Sequence, residues 1–150
     1  MFETSKTISG TWGSVKINGL IAAEAIGLEA KVTIIKEEVK QTGTYVKGFK
    51  VIGTEGKGTI KLNKVYSRFI QLMDGNMQEG KSTEVTIESL LEDPQSYGKE
   101  GVILKECIFD ELPLVDWEAG KIGEESVPFT FGGWLITDTI DAPGMEEDDD

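Results

Sequence analysis

Glycine, lysine and threonine side chains of the kind that bind phosphate lie together in the middle of the chain, at Gly56-Lys57-Gly58-Thr59. A P-loop requires a glycine, four further residues, and then Gly-Lys-Ser/Thr at the start of a helix. Here Lys57 is followed by Gly58 and then by a strand-like pattern, so the spacing argues against a P-loop. We therefore predict no nucleotide cofactor at this position.

The other reactive groups predict neither a catalytic centre nor a metal site. The chain has no histidine, which removes the commonest general base and the commonest transition-metal ligand. Glu37-Glu38 and Glu124-Glu125 are adjacent carboxylates, but neighbouring residues of a strand point to opposite faces. Cys107 is expected to be a small buried hydrophobic residue. We predict that the chain is not an enzyme and has no catalytic residue, metal or cofactor, since carboxylates alone form no recognisable motif here.

Two arms with strand-like alternation meet at a glycine-rich bend between Leu28 and Leu62. Between Ile26 and Ile35 apolar residues alternate with mostly polar ones, which gives a strand one apolar and one polar face. Phe49 to Leu62 shows the same alternation on both sides of a glycine-rich break. The stretch from about Lys40 to Lys57 is too long for a tight turn, so we expect an arm that projects beyond its own core.

Such an arm has two interpretations. An exposed strand edge offers unpaired backbone groups to a neighbouring chain, which favours a function in assembly. The alternative is a long surface hairpin on an ordinary β domain.

The remaining patterns predict one domain over residues 1–150, of α+β class but mainly β, with antiparallel strands and one flanking helix. We expect the helix over 64–75, with Asn63 at its N-cap and Gly75 at its end. Asn18-Gly19 predicts a tight hairpin turn. Further strand patterns span 85–91, 101–109, 110–117 and 122–131. Residues 1–6 are expected to be flexible and the acidic residues 138–150 to be disordered.

Charge and hydropathy exclude two classes of partner. Residues 1–81 contain 12 Lys or Arg and 8 Asp or Glu, whereas residues 82–150 contain 3 and 19. A net charge of −12 is expected to repel nucleic acid, so we predict no specific nucleic-acid binding. No apolar run approaches the roughly 20 residues that span a membrane. The uneven charge indicates either complementary surfaces on neighbouring copies or partners, or ordinary solubilising charge.

Several short motifs, taken in order, resemble the tail tube proteins of contractile phage tails and of phage-derived particles in Gram-positive bacteria, such as R-type bacteriocins and defective prophages. The resemblance covers the chain from about Thr7 to Phe131. The motifs that carry it are Thr7-Ile8-Ser9-Gly10, Asn18-Gly19, Gly53 with Gly56-Lys57-Gly58-Thr59, Lys64-Val65 with Ser67 and Phe69, Phe109-Asp110, and Val127-Pro128-Phe129-Thr130-Phe131.

The resemblance implies an antiparallel β-sandwich or barrel-like tail tube fold with one flanking helix and a long projecting loop. Six such subunits would form a ring whose inner strands join into one barrel, and the rings would stack into a hollow tube. A closed ring would also satisfy the strand edges that a single subunit exposes. The mechanism would be mechanical, with the tube acting as a conduit that a contracting sheath drives into a target envelope.

By the same resemblance, the loop would contact a neighbouring subunit or ring, the polar faces of the two arms would line the lumen, and acidic residues would face either the lumen or a basic sheath. The loop candidates are Lys40, Gly43, Tyr45, Gly53, Gly56 and Lys57. The lumen candidates are Glu29, Lys31, Thr33, Thr59 and Lys61. The sheath candidates are Glu124 and Glu125.

The implied partners are further copies of the chain, the tail sheath protein, a baseplate or tube initiator, and a tail terminator. Assembly is expected in the bacterial cytoplasm, followed by release of the virion or tail-like particle on lysis. The alternative from another class is a monomeric β-barrel that binds a small ligand in its interior.

Overall fold

The structure is a computed structural model that describes residues 1–144, and they form mainly β-strands. Two single turns of 3-10 helix, Thr4–Lys6 and Gly10–Trp12, precede the first strand. The strands are β1 Gly13–Ile17, β2 Leu20–Ile21, β3 Ala25–Val39, β4 Gly48–Asn63, β5 Glu84–Leu91, β6 Glu100–Phe109, β7 Glu124–Phe131 and β8 Gly133–Asp138. The helix α1 is Arg68–Gln78 and lies between β4 and β5. The predicted fold class, mainly β with antiparallel pairing, is confirmed.

All strands belong to one antiparallel sheet in the order β2-β1-β5-β6-β7-β4-β3, and β8 pairs with β6. The Asn18-Gly19 turn joins β1 to β2, and both residues have positive φ, 52° and 80°, as a tight hairpin requires. β1 lies next to one end of this order and β3 lies at the other end, and the two strands approach each other, which curls the sheet around its core.

The core fills the inside of the curled sheet with apolar side chains. Phe69 of α1 packs edge-on against Phe109 of β6, with ring centroids 5.0 Å apart, and Phe109 packs edge-on against Phe129 of β7 at 6.1 Å. The fully buried side chains are Phe69, Phe129, Ile60, Leu62, Ile87, Val127 and Cys107. The helix therefore lies on the core side of the sheet.

The helix begins and ends later than the expected range 64–75. Asn63 is the last residue of β4, and Lys64 continues that strand's contacts through a hydrogen bond from its backbone N–H to the carbonyl of Gly123. Ser67 is the N-cap. Gly75 lies inside the helix, and the left-handed residue beyond its end is Gly80, with φ of 74°. Sheet pairing of the preceding strand thus delays the start of the helix by four residues.

The predicted strand over 110–117 is wrong, and a strand that the pattern did not indicate follows β7. β6 pairs with β5 along one edge and with β7 and β8 along the other, so it offers no edge to residues 110–117. That stretch is irregular and forms part of the β6–β7 connection. Of the acidic segment 138–150, Asp138 is the last residue of β8, while residues 145–150 lie outside the described residues.

Candidate assembly surfaces

The β3–β4 hairpin separates from β7 and continues as a two-stranded ribbon. Pairing between β4 and β7 ends at Gly56 opposite Phe131, whereas β3 and β4 stay paired as far as Val39 opposite Gly48. Eight residues of β4 run past the last contact with β7, roughly 26 Å at about 3.3 Å per residue. The projecting arm expected from the sequence is therefore present.

Both faces of this hairpin extension, residues 33–55, are exposed. Ile34 and Ile35 point to opposite faces of β3, yet they are 56% and 40% exposed. On β4, Phe49, Val51 and Ile52 are 61%, 57% and 56% exposed. A two-stranded ribbon is marginally stable alone in water, and apolar side chains on both of its faces mark an interaction surface. The extension thus presents surface that a second protein chain could cover.

β7 and β8 form a nearly continuous strand that turns away from β4 at Gly132. Glu106, with φ of 55°, lies in a β-bulge of β6, and a Cβ added at Gly132 would lie 2.5 Å from its Oε2. From Gly133 onward the chain stays paired with β6 while β4 leaves the sheet. Within residues 1–144 the outer edge of β8 and the facing edge of the hairpin extension pair with no other strand.

Strand β8 adds a second exposed apolar surface beside this open edge. Leu135 and Ile136 are each about half exposed. Trp134 is also partly exposed and packs edge-on against Phe131, with centroids 6.3 Å apart. The sequence signal for this strand is the apolar run 134–136 directly after Gly132 and Gly133.

Gly53, Gly56 and Lys57 belong to β4 and not to the loop in which the sequence placed them. A Cβ at Gly56 would lie 2.5 Å from the ring of Phe131. The glycine is needed because an aromatic ring from β7 lies flat over the strand, and not because the backbone bends there. The connecting loop is therefore only residues 40–47.

This loop contains the other three candidates, Lys40, Gly43 and Tyr45. Gly43 has φ of 81°, which glycine adopts without strain, so the glycine-dependent bend is at this residue. Tyr45 is fully exposed, and Lys47 makes only a long contact of 4.0 Å with Glu38.

The five lumen candidates lie on one face of the β3–β4 ribbon. Glu29 is opposite Thr59, and Lys61 lies two residues farther along β4 on the same side. Lys31 and Thr33 follow Glu29 at intervals of two, so they share its face. The opposite face carries the buried Ile60 and points to the core. The alternation of polar and apolar residues in the sequence was sufficient to identify the residues that share this polar face.

Glu124 and Glu125 do not form a shared exterior surface. The Glu125 side chain is 8% exposed, and its Oε1 accepts from Lys64 Nζ at 2.7 Å. Its inward position removes it from the sheath-facing candidates. Glu124 is exposed but is opposite Asn63, which places it on the same sheet face as Lys61. Consequently Glu124 belongs with the lumen candidates and cannot face a sheath if they line a channel.

The cysteine of β6, Cys107, is buried. Burial raises the pKa of the Cys107 thiol to about 11, so the thiolate is disfavoured. In the part of the chain that the structure describes, no group of three or more Cys, Asp or Glu side chains could hold a metal ion. Across residues 1–144, no helix has the length and apolar character needed to cross a membrane.

A groove of about 320 Å³ lies where β1 approaches β3. Its lining consists largely of glycine and alanine together with apolar residues such as Val15, Ile21 and Leu28. The interior of the sheet itself is filled by the core side chains. A ligand-binding barrel would instead need an interior space with a few convergent polar groups.

Comparison with known proteins connects these surfaces to a family. Residues 1–138 match a family model described as "Phage tail tube protein". Phage-like element PBSX protein XkdM of Bacillus subtilis (strain 168) is 34% identical over 140 residues, which cover 92% of this chain and 95% of that protein.

Two solved structures share the fold at low sequence identity. A chain of the PVC sheath–tube complex, an extracellular contractile injection system in its extended state, has a TM-score of 0.68 at 9% identity. The match covers 93% of this chain and 100% of that one. A chain of the PVC sheath/tube terminator in the extended state has a TM-score of 0.70 at 8% identity, covering 91% and 100%.

Proposed function

Because the chain belongs to the phage tail tube protein family, we propose that it is the inner-tube subunit of a contractile injection particle, whose rings of six copies stack around a central channel. Proteins of this family are structural, and this chain is a structural protein and not an enzyme. In the proposal the whole chain acts as one tube domain that conducts cargo mechanically and catalyses nothing.

The observation that carries the proposal is the hairpin extension with its unpaired edges and exposed apolar faces. Ile34 and Ile35 point to opposite faces of β3, and Phe49 and Val51 of β4 are both more than half exposed. A monomer would leave these side chains and the backbone edges of β3 and β8 in water, which favours aggregation. Copies arranged in a ring cover them with complementary surfaces of their neighbours, and the same contact repeats around the ring.

The polar face of β3 and β4 is the proposed channel lining. Along β3 residues 27–33 and their β4 partners, with Glu124 of β7 beside them, this face carries three carboxylates and three ammonium groups, so the proposed lining there is hydrophilic and close to neutral. They are Glu29, Glu55, Glu124, Lys31, Lys57 and Lys61. A lining without a basic patch would let nucleic acid or protein pass without binding.

The position of α1 supports an exterior location for the helix. It packs on the core side of the sheet through Phe69 and Met73, opposite the polar face. If the polar face lines the channel, α1 faces outward, where the sheath protein would surround the tube. Baseplate or initiator and terminator proteins would contact the two ends of the tube. We propose assembly in the bacterial cytoplasm and release of the particle by lysis.

Electron microscopy of the purified protein, dilute and after concentration, tests the proposal. We expect hollow tubes or rings of uniform width, with six-fold symmetry in end-on class averages. Uniform monomers at every concentration, with saturable binding of a small apolar ligand, would contradict the tube and support the ligand-binding alternative.

A variant with a shortened β3–β4 hairpin tests whether this element is responsible for assembly. Replacing residues 36–52 by Asn-Gly would leave Ile35 opposite Gly53 across a two-residue turn. We expect this variant to fold, as judged by circular dichroism and cooperative melting, but to remain monomeric. The matched control is Tyr97→Ser, which removes an exposed aromatic side chain from the β5–β6 connection and should assemble like the wild type.

A further inference from the structure

We propose that the hairpin tip of one copy binds the acidic loop of a second copy, in a head-to-tail contact. The hairpin tip is residues 40–51 and the acidic loop is residues 110–118. This inference rests on the proposed function, because it identifies which two surfaces of the subunit meet during assembly.

The hairpin tip is basic and apolar. It contains Lys40, Lys47 and Lys50 and no Asp or Glu. On the paired part of β3, Glu37 lies opposite Lys50 and Glu38 lies 4.0 Å from Lys47, so with Lys36 the tip and its base keep an excess of two lysines. Tyr45 is fully exposed, and Val46 is 80% exposed. Side chains of this kind at a projecting end are suited to an acidic partner that also offers apolar contacts.

The acidic loop has the complementary character. It contains Asp110, Glu111, Asp116 and Glu118 and no Lys or Arg. The only one of these carboxylates with an ion-pair partner among residues 1–144 is Glu118, which lies 3.0 Å from Lys121.

Exposed apolar side chains are interleaved with these carboxylates. Leu114 and Val115 are 65% and 78% exposed, and Trp117 is 82% exposed. Leu112 packs against the core and anchors the loop. The loop thus holds a large aromatic side chain in water on an irregular but attached segment, which is typical of an interface anchor.

The two surfaces lie toward opposite ends of the molecule. The acidic loop begins after Phe109, which is opposite Phe129 and hence level with Gly58 of β4, and it leads back to Glu124, level with Asn63. Ten residues separate Gly58 from Gly48, where the hairpin tip starts to leave β4, roughly 33 Å along the strand.

Different surfaces at opposite ends give a heterologous contact. Such a contact repeats from copy to copy and produces a ring if it closes, or a filament if it does not. In this contact the basic first half of one copy meets the acidic second half of the next copy, so the contact has a direction.

Charge reversal tests this contact through rescue. The basic surface is reversed by Lys40→Glu, Lys47→Glu and Lys50→Glu, and the acidic one by Asp110→Lys, Glu111→Lys and Asp116→Lys. We expect either triple variant alone to assemble at least about tenfold less than the wild type, and a chain carrying all six changes to recover. The matched control, Lys16→Glu, Lys81→Glu and Lys105→Glu, makes the same charge change elsewhere and should assemble normally.

Two outcomes would overturn the inference. Either triple variant could assemble like the wild type, or the chain with all six changes could assemble as poorly as the triple variants. Retained melting temperatures would show that the variants fold.

Disulfide trapping tests the contact between the hairpin tip and the acidic loop independently of tube formation. Copies with Tyr45→Cys are mixed with copies with Trp117→Cys under oxidising conditions, while the native Cys107 stays fully buried. We expect a disulfide-linked heterodimer, and much less from the control mixture of Tyr45→Cys with Tyr97→Cys. Cross-linking without tubes would retain this contact and reject the tube. Tubes without cross-linking would retain the tube and reject this contact, and failure of both would reject both.

Discussion

The guanidinium of Arg68, at the start of α1, donates to both carboxylate oxygens of Glu24, at the start of the chain's longest hairpin. The Glu24 side chain is 3% exposed and that of Arg68 is 22% exposed. Asn63 also donates its backbone N–H to the carbonyl of Glu24, so one residue holds both the helix and the base of the hairpin. The pair therefore ties the start of α1 to the base of the hairpin.

Removing one partner of this pair should destabilise the fold strongly. Arg68→Met leaves a buried carboxylate without its cation, and we expect a loss of about 3 kcal/mol in the free energy of unfolding. Urea denaturation followed by circular dichroism measures it. Lys81→Ala removes an exposed pair with Glu79 and should change stability by less than about 0.5 kcal/mol. Equal effects of the two variants would contradict a structural role for the buried pair.

The same pair predicts how stability depends on acid. The hydrogen bond from Arg68 lowers the pKa of Glu24 below its usual value and outweighs the opposing effect of burial. A carboxyl whose pKa is lower in the folded state stabilises the fold above its unfolded pKa, and this contribution is lost as pH falls through the folded value.

We accordingly expect Glu24→Gln to reduce the stability difference between about pH 6 and pH 3, measured by urea midpoints at each pH. Glu79→Gln, at an exposed carboxylate, serves as the control and should leave that difference unchanged. A wild-type pH profile in the Glu24 variant would show that another group is responsible.

Two glycines of β4 should differ sharply in their tolerance of a methyl group. A Cβ at Gly58 would lie 2.4 Å from the backbone oxygen of Glu29 and 2.5 Å from the ring of Phe129. Gly58→Ala should therefore cost about 1–3 kcal/mol of stability, because the fully buried ring cannot move aside. At Gly53, on the same strand, a Cβ meets nothing within 4 Å, so Gly53→Ala should be neutral or slightly stabilising. Thermal melting of both variants tests the contrast.

Cys107 should resist thiol reagents in the folded protein. Burial raises the pKa of its thiol to about 11, compared with about 8.5 for an exposed cysteine. At about pH 8 we expect labelling by an aromatic disulfide reagent to be at least about 100-fold slower in buffer than in guanidinium chloride. Labelling at the unfolded rate would show that the β5–β6 region opens readily.

Alternation along the strands was the most reliable signal in the sequence. It correctly identified the two arms and the shared face of Glu29 and Thr59. It also contained the signal that Glu125 points inward, since Glu125 has the same parity as the buried Val127 and Phe129. Treating the two glutamates as a pair concealed that signal.

Features that depend on contacts between distant residues could not be predicted. Gly56 resembles a bend residue until Phe131 is seen to lie over it. The end of β4 depends on a hydrogen bond between Lys64 and Gly123, which moves the helix start. Residues 110–117 are irregular because β8 already occupies an edge of β6. The apolar run of β8 was too short to be recognised as a strand from the sequence.

In the proposed head-to-tail contact, the hairpin tip and the acidic loop are separated by much of the length of β4, so an open assembly built through this contact has a direction. One end of such an assembly displays only unoccupied basic tips, and the other displays only unoccupied acidic loops. Growth would therefore add subunits through unlike half-contacts at the two ends, and a single capping protein could not close both. A protein that caps the basic end would need an acidic, aromatic surface, and one that caps the acidic end would need a basic, apolar surface.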